Sequence, residues 1–370
     1  MVVVQLLLNL GKGGMESMVV SLAQGLQGAG LEPVVVALDA GGEHEDSLSR
    51  SGIPYHIMGG RHFSSPAAHL KLARLLRRYG PRAVHTHHFA PLLHSLPAIE
   101  LARVPRRVHT EHSSYYLPAR QTYRWALRGM SRRTDAFVVV AQDMERYYAE
   151  TVGISTKKLR VLPNGIDAQR FRPSADRPAL RRALGLPEGL LVATAGRFFP
   201  EKDYATLLRG AALSRVPGLR VVMVGDGPLR DDLERLAREL GIEDRVDFLG
   251  WRKDLPDLMP AFDLFALTST REAFPMAILE AMASGVPVVA TPVGDIPDVV
   301  EHDETGLLFP VGDADALAGC LSQVAANPGW VEAAGRRARA AVVARHSLDA
   351  MLQGYMRLYF GTNSPAQREG

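Results

Sequence analysis

Between Thr268 and Thr291 the chain reads TSTREAFPMAILEAMASGVPVVAT, with two carboxylates, Glu272 and Glu280, eight positions apart. The pattern predicts a loop entering a helix, with Pro275 in the first helical turn, where its missing N–H would have no partner anyway. The backbone amides of Phe274, Met276 and Ala277 are then free to face an anion. Glu280 falls about one turn further on, at ~1.5 Å of rise per residue. One glutamate before an anion-binding helix start and one inside it suits a sugar–diphosphate–ribose ligand. The carboxylates accept from hydroxyls while the amides hold phosphate oxygens.

Other residues with chemical reach follow apolar runs. Gly196-Arg197-Phe198-Phe199-Pro200-Glu201-Lys202 places a guanidinium, which binds phosphate through a fork of donors, near a compact ammonium. Those cations would stabilise charge developing on a leaving diphosphate. Gly11-Lys12-Gly13-Gly14-Met15-Glu16 follows the first apolar run. It has neither the dinucleotide fingerprint nor the P-loop spacing, yet its glycines let backbone amides approach a phosphate or sugar. Histidines concentrate in His85-Thr86-His87-His88 and His109-Thr110-Glu111-His112. A metal site is one reading of them, but no compact carboxylate or cysteine set completes it. His85 and His87 alternate along a strand, and His109 reads as a core residue.

The stretch around Glu272 and Glu280 closely resembles the E-x7-E motif of retaining glycosyltransferases of family four, which have the GT-B fold. The EAFPM core, AMASGVPVVAT, and the later PDVVEHDETGLLFPVGDADALA all take part. The resemblance runs from Gly11 to about Tyr359 and is densest in the second half. It implies that Glu280 holds the ribose and Glu272 the hexose hydroxyls, while amides from Phe274 through Pro275 and Met276 to Ala277 contact sugar and diphosphate. It assigns Arg197 and Lys202 to the departing diphosphate. Gly13, Gly14 and Glu16 match a GG-x-E loop facing donor and acceptor. His112 is the better match, and His109 the alternative, to a sugar-contacting histidine that orients a donor hydroxyl or stabilises charge near the reacting carbon. Gly225 shapes the nucleotide pocket, and backbone groups near Trp251 and Arg252 read the base. The family's front-face route needs no enzymic nucleophile, and metal independence is expected because no DXD-type site is evident. UDP is the favoured donor base and GDP the second; the acceptor is a glycan, a lipid-linked saccharide or another hydroxyl compound. Two rivals share these residues: a non-catalytic nucleotide-sugar-binding scaffold and a GT-B nucleotide-sugar epimerase.

Elements must hold these groups in place. VVVQLLL, PVVVALD, AVHTHH, RRVHTE and AFVVVA read as strands buried on both faces, with helices between them over 15–28 and 65–79. Ser65 can cap the second helix, with Pro66 in its first turn. VLPNGIDAQRFRPSADRP, at 161–178, reads as a linker, after which LLVATAG, RVVMVGD, RVDFLG, DLFALT and PVVAT restart the alternation. The expected architecture is α/β: two Rossmann-like domains, 1–170 and 171–346, with a ligand cleft between them. An amphipathic helix at about 347–362 returns to the N-terminal domain. The last ten residues read as disordered.

Composition narrows the class. The 370 residues are 46% hydrophobic and 22% charged, as in a globular enzyme, and the single Cys320 excludes a disulfide framework. MVVVQLLLNL is about half the ~20 residues a membrane span requires. A cytoplasmic protein is expected. The first 172 residues hold 22 Lys/Arg against 13 Asp/Glu, net +9, and the remainder is net −6. Clusters at Arg74, Arg77, Arg78 and Arg82, at Arg103, Arg106 and Arg107, and from Arg120 to Arg133 suit peripheral contact with an anionic membrane. No nucleic-acid recognition motif accompanies them. Acceptor selectivity is expected in the loops around 59–66 and 113–124.

Overall fold

The computed structural model describes residues 1–11, 13–59, 65–112 and 121–361. Lys12, most of both loops expected to select the acceptor, Arg120 and nearly all of the C-terminal tail lie outside the described residues. The chain divides into two compact units, one formed by Met1–Gly165 with Leu348–Gly370 and the other by Ile166–Ser347.

In the first unit each long apolar run becomes a strand of one parallel sheet. The strands are β1 (Val2–Asn9), β2 (Glu32–Ala40), β3 (Tyr55–Ile57), β4 (Ala83–His87), β5 (Arg106–Glu111), β6 (Ala136–Val139) and β7 (Leu159–Val161). Their order is β3-β2-β1-β4-β5-β6-β7. Successive side chains point to opposite faces, and β1 shows the consequence. Val4 and Leu6 join a core with Leu72 and Leu76 of the Pro66–Tyr79 helix. Val3 and Leu7 join another with Met18, Leu22 and Leu26 of the Gly14–Gly28 helix and with Met351, Leu352, Tyr355 and Tyr359 of the C-terminal helix, Leu348–Phe360. Gln5 sits between Val3 and Leu7 and is completely buried. Ser65 caps the Pro66–Tyr79 helix by accepting from the Ala68 amide.

The second unit repeats the scheme with β8 (Leu191–Ala195), β9 (Arg220–Val224), β10 (Val246–Gly250), β11 (Leu264–Leu267), β12 (Val288–Ala290) and β13 (Gly306–Leu308), in the parallel order β10-β9-β8-β11-β12-β13. The chain enters this unit at Ile166, whose N–H donates to the His346 carbonyl and which bridges Ser347. The Arg339 guanidinium donates to the carbonyls of Ala168, Phe171 and Ala283, so the segment after Gly165 is tied to the second unit. The division therefore falls a few residues before the expected 170/171. Three strands were not expected from the sequence: β3, β7 and β13. Each is three residues long at a sheet edge, too short to carry a readable period.

Candidate functional site

In the second unit the residues read as donor-binding gather at the carboxyl ends of β8, β9, β10 and β11, where open α/β sheets place ligands. Three of these exits are laced by backbone. Gly196 N–H donates to the Val224 carbonyl at 2.9 Å, Gly225 N–H to Gly250 at 2.8 Å and Phe198 N–H to Asp226 at 2.9 Å. Gly225 has φ 135, and a Cβ there would lie 1.9 Å from the Gly196 carbonyl oxygen. Only glycine lets these two strand ends meet backbone to backbone. Beyond β10, Arg252 grips Asp254 with two bonds, 2.7 and 2.5 Å, and the Lys253 ammonium lies 5.8 Å from the Trp251 ring centre.

Arg197 is exposed, its guanidinium 4.9 Å from the centre of the Phe199 ring. The short 3-10 turn Pro200–Lys202 follows and is stitched to the exit of β11. The buried Thr268 hydroxyl faces the carbonyls of Lys202 and Asp203 at 3.0 and 2.8 Å, and Thr270 N–H donates to Glu201. This stitching sets Lys202 beside Glu272, with Nζ 2.5 Å from Oε1. The Ser269 hydroxyl donates to the same oxygen at 2.7 Å, and Ser269 is itself pinned through its carbonyl by Thr291. The pair is partly buried, at 22% and 11% side-chain exposure, so its attraction is less screened than that of a surface pair.

The helix after Glu272 is Met276–Ala283. Pro275 precedes it in the N-cap position, with extended backbone (ψ 111), rather than occupying the first turn as expected. Its fixed φ suits either place, but the β-region ψ ends the loop there. The first hydrogen bond of the helix runs from Ile278 N–H to the Pro275 carbonyl. The amides of Met276 and Ala277 therefore have no intrahelical acceptor. Phe274 and Pro275 are buried; Met276 and Ala277 are partly exposed. Glu280 lies in the second turn. Burial pushes its carboxyl up to about 7, only partly offset by the positive charge of Arg170. No described residue donates a hydrogen bond to it.

In the first unit the read-out residues again follow carboxyl ends, those of β1, β4 and β5. Gly13 is the extended N-cap of the Gly14–Gly28 helix, and Glu16 in the first turn folds back so closely that a Cβ on Gly13 would lie 2.1 Å from its Oε2. Around β4 and β5 the histidines form two buried polar groups on opposite faces. On one, His109 bridges the Thr86 hydroxyl (2.8 Å) and Glu111 (3.1 Å), and Glu111 also meets His88 at 3.3 Å. Burial opposes ionisation of Glu111, but the bonds from His109 and His88 prevail and hold its carboxyl below the usual range. On the other face, Gln5, His85, His87, Thr110, Tyr355 and Tyr359 are hydrogen-bonded together, and His87 Nδ1 reaches His112 Nε2 at 3.0 Å. Burial, reinforced by neighbouring imidazoles, holds His85, His87 and His112 well below the usual histidine range, so they are neutral at pH 7. Among the described residues no group of three or more His, Cys, Asp or Glu is arranged to hold a metal ion.

Lys202 and Glu272, 70 positions apart along the chain, are thus in direct contact within their unit, as are Gly225 and Gly196. His112 is joined to His87 within the other. Sequence reading missed Ser269, Gln5, His87 and the two tyrosines. A lone glutamine inside VVVQLLL was the available signal.

Two family models cover most of the chain: glycosyl transferases group 1 matches residues 176–341, and glycosyltransferase family 4 matches residues 12–170. UDP-Gal:α-D-GlcNAc-diphosphoundecaprenol α-1,3-galactosyltransferase of Escherichia coli is 28% identical over 69% of this chain and 69% of its own length. The D-inositol 3-phosphate glycosyltransferase of Mycolicibacterium paratuberculosis is 39% identical over 60% of this chain, which spans only 53% of that relative. Among solved structures, HepE of Anabaena in complex with UDP superposes with a TM-score of 0.83 at 25% identity, covering 96% of this chain and 98% of that one. Its complex with UDP-glucose gives 0.83 and 25% over 95% and 97%. Sucrose-phosphate synthase of Thermosynechococcus elongatus, 24% identical over 97% and 98% with a TM-score of 0.79, shares the fold.

Proposed function

Because this chain belongs to the family-four glycosyltransferases and has their two-domain GT-B fold, we propose that it is a retaining hexosyltransferase drawing on a UDP-sugar. The observation that carries this reading is the Lys202–Glu272 contact at the exits of β8 and β11, directly before the open amides of Met276 and Ala277. In the proposed complex the diphosphate takes Lys202 and Arg197, and Glu272 turns to the hexose hydroxyls. Glu280 accepts from the ribose, whose hydroxyls supply the donors it lacks. Phe274 and Pro275 shape the wall beside the sugar, and the backbone near Gly225, Trp251 and Arg252 faces the base. The family resemblance assigns Gly13, Gly14, Glu16 and His112 to the sugar and the incoming hydroxyl. That hydroxyl attacks the anomeric carbon from the face the diphosphate leaves, and the departing phosphate oxygen takes its proton. Arg197 and Lys202 supply the positive charge this step requires, so the reaction is expected to be metal-independent.

UDP is favoured over GDP because the likened HepE structures hold UDP and UDP-glucose. A thermal-shift panel of UDP, GDP, ADP and dTDP tests it. A nucleotide at ~100 times its dissociation constant adds about 2.7 kcal/mol, a shift of several degrees. Stabilisation by UDP that vanishes in Arg197→Ala is the expected result, and the product's anomeric configuration by NMR then reads retention. Silence with every nucleotide at millimolar concentration would sink the proposal.

For the acceptor, the Escherichia coli relative acts on a diphosphoundecaprenol-linked sugar, which supports a lipid-linked or glycan acceptor here. The basic first unit has an open groove where Lys71, Arg74 and Arg78 stand beside His56 and the apolar Ile57, Met58 and Leu75, and its three cations suit phosphates at a membrane surface. No described helix is long and apolar enough to cross a membrane. Peripheral contact predicts flotation with phosphatidylglycerol vesicles that high salt abolishes; equal flotation with neutral vesicles would refute the electrostatic account.

A further inference from the structure

The polar network under the C-terminal helix has a direction. Gln5 Nε2 donates to the Tyr359 hydroxyl at 3.2 Å, and that hydroxyl lies 2.6 Å from His85 Nδ1, to which it donates when His85 carries its hydrogen on Nε2. In that tautomer His85 Nε2 donates to Thr110 at 2.7 Å. On its other side the same amide presents Oε1 to His87 Nε2 at 2.8 Å, which requires a hydrogen on that nitrogen. A neutral His87 is left with a lone pair on Nδ1, and that lone pair accepts from His112 Nε2 at 3.0 Å. His112 therefore keeps no hydrogen on Nδ1. That nitrogen is buried and has no hydrogen-bond partner among the described residues. A shielded acceptor without a donor is unfavourable until a ligand hydroxyl supplies one.

We propose that Tyr359, Gln5 and His87 are positioning residues that hold His112 as the Nε2-protonated tautomer, so that Nδ1 accepts from a hydroxyl of the transferred sugar. The inference deepens the reading of His112 given above and rests on it for the identity of the hydroxyl. The relay itself rests only on the contacts described. Its origin is the amide of Gln5, the one polar side chain of β1 buried on that face, whose Nε2 donates to a hydroxyl on the Leu348–Phe360 helix and whose Oε1 faces His87. Turning that amide over would reverse every donor along the path and put a hydrogen on His112 Nδ1, where it would repel a hydroxyl's proton.

Long-range 1H–15N correlation spectra of the intact labelled protein, with His112→Ala for assignment, read the tautomers directly. His87 and His112 are both expected to carry hydrogen on Nε2. Tyr359→Phe frees the amide to turn and Gln5→Met removes it, so both should shift His112 toward Nδ1 protonation. Tyr355→Phe deletes a hydroxyl from the same buried helix face but leaves the Gln5 anchor, and should preserve the tautomer. Transfer should fall on the order of tenfold in the two variants that shift it, as for one lost hydrogen bond, with UDP affinity unchanged. An Nδ1-protonated His112 in the wild type, or one unmoved in both variants, overturns the relay even if a variant is unstable. A relay confirmed by NMR with no sugar transfer by the wild type would instead overturn the transferase reading alone.

Discussion

Lys202→Ala is expected to slow sugar transfer by about 10²- to 10³-fold, the usual cost of deleting one preorganised donor aimed at developing charge. Ground-state nucleotide binding should weaken much less, because the amides of Met276 and Ala277 and the Arg197 fork stay in place. The ammonium is positioned by its turn: Thr268 and Thr270 fasten Glu201, Lys202 and Asp203 to the exit of β11. Deleting it also removes one of the contacts that hold the Glu272 carboxylate beside Ser269, so Glu272 should lose orientation. The two effects share one contact. Lys202→Ala combined with Glu272→Ala should therefore be far less than multiplicative, as for residues acting as a unit. Lys202→Arg should recover little, since a planar fork does not replace a point charge 2.5 Å from one carboxylate oxygen. Single-turnover rates at saturating donor provide the measurement. A Lys202→Ala rate within a few-fold of wild type would remove Lys202 from the chemistry.

Glu280→Gln should do the opposite to stability. The folded carboxyl is raised to about 7 from an ordinary 4.5, so the folded state prefers it protonated. Below pH 4.5 the group is neutral folded or unfolded and costs nothing. As pH rises toward 7 the unfolded chain ionises freely while the folded one resists, and the penalty is complete above 7. One pKa unit corresponds to 1.36 kcal/mol, so the penalty is on the order of 3 kcal/mol. The glutamine variant should be more stable by about that amount at pH 8 in urea unfolding, with the gain shrinking to nothing near pH 4. Nucleotide affinity should fall in the same variant, because an acid that accepts from two ribose hydroxyls becomes an amide that accepts less well. Wild-type affinity should likewise drop as pH falls below 7. A stability gain independent of pH would contradict the account. Such an opposition between stability and binding is the pattern expected of a functional group held in an unfavourable place.

The fold was legible because parallel strands covered on both faces leave unbroken apolar runs, and ten such runs were long enough to read. The three-residue edge strands carried no pattern, and Pro275 fits an N-cap as readily as a first turn, so local preference could not choose between them. The cationic and acidic residues of the second unit were legible because they sit in contiguous loops at strand ends. Ser269 was not: a serine contributes to the site only through where its neighbour's carboxylate lies. The histidine relay was hidden more deeply. It joins Gln5, His87, His112 and Tyr359, four elements whose proximity is a property of the sheet order and not of spacing along the chain.

That relay also bears on how the protein is made. Gln5 and Tyr359 are separated by 354 positions, and Met351, Leu352, Tyr355 and Tyr359 complete a core whose other half begins at Val3. The stretch from Ile166 to Ser347 is continuous and can fold as it emerges from the ribosome. The first unit cannot. Its earliest strand must wait, with an apolar face and a buried-type glutamine uncovered, until the Leu348–Phe360 helix has been synthesised. Loop closure of that length is slow and leaves the open face available for aggregation. During synthesis, the unit translated first is thus the one that reaches its native state last.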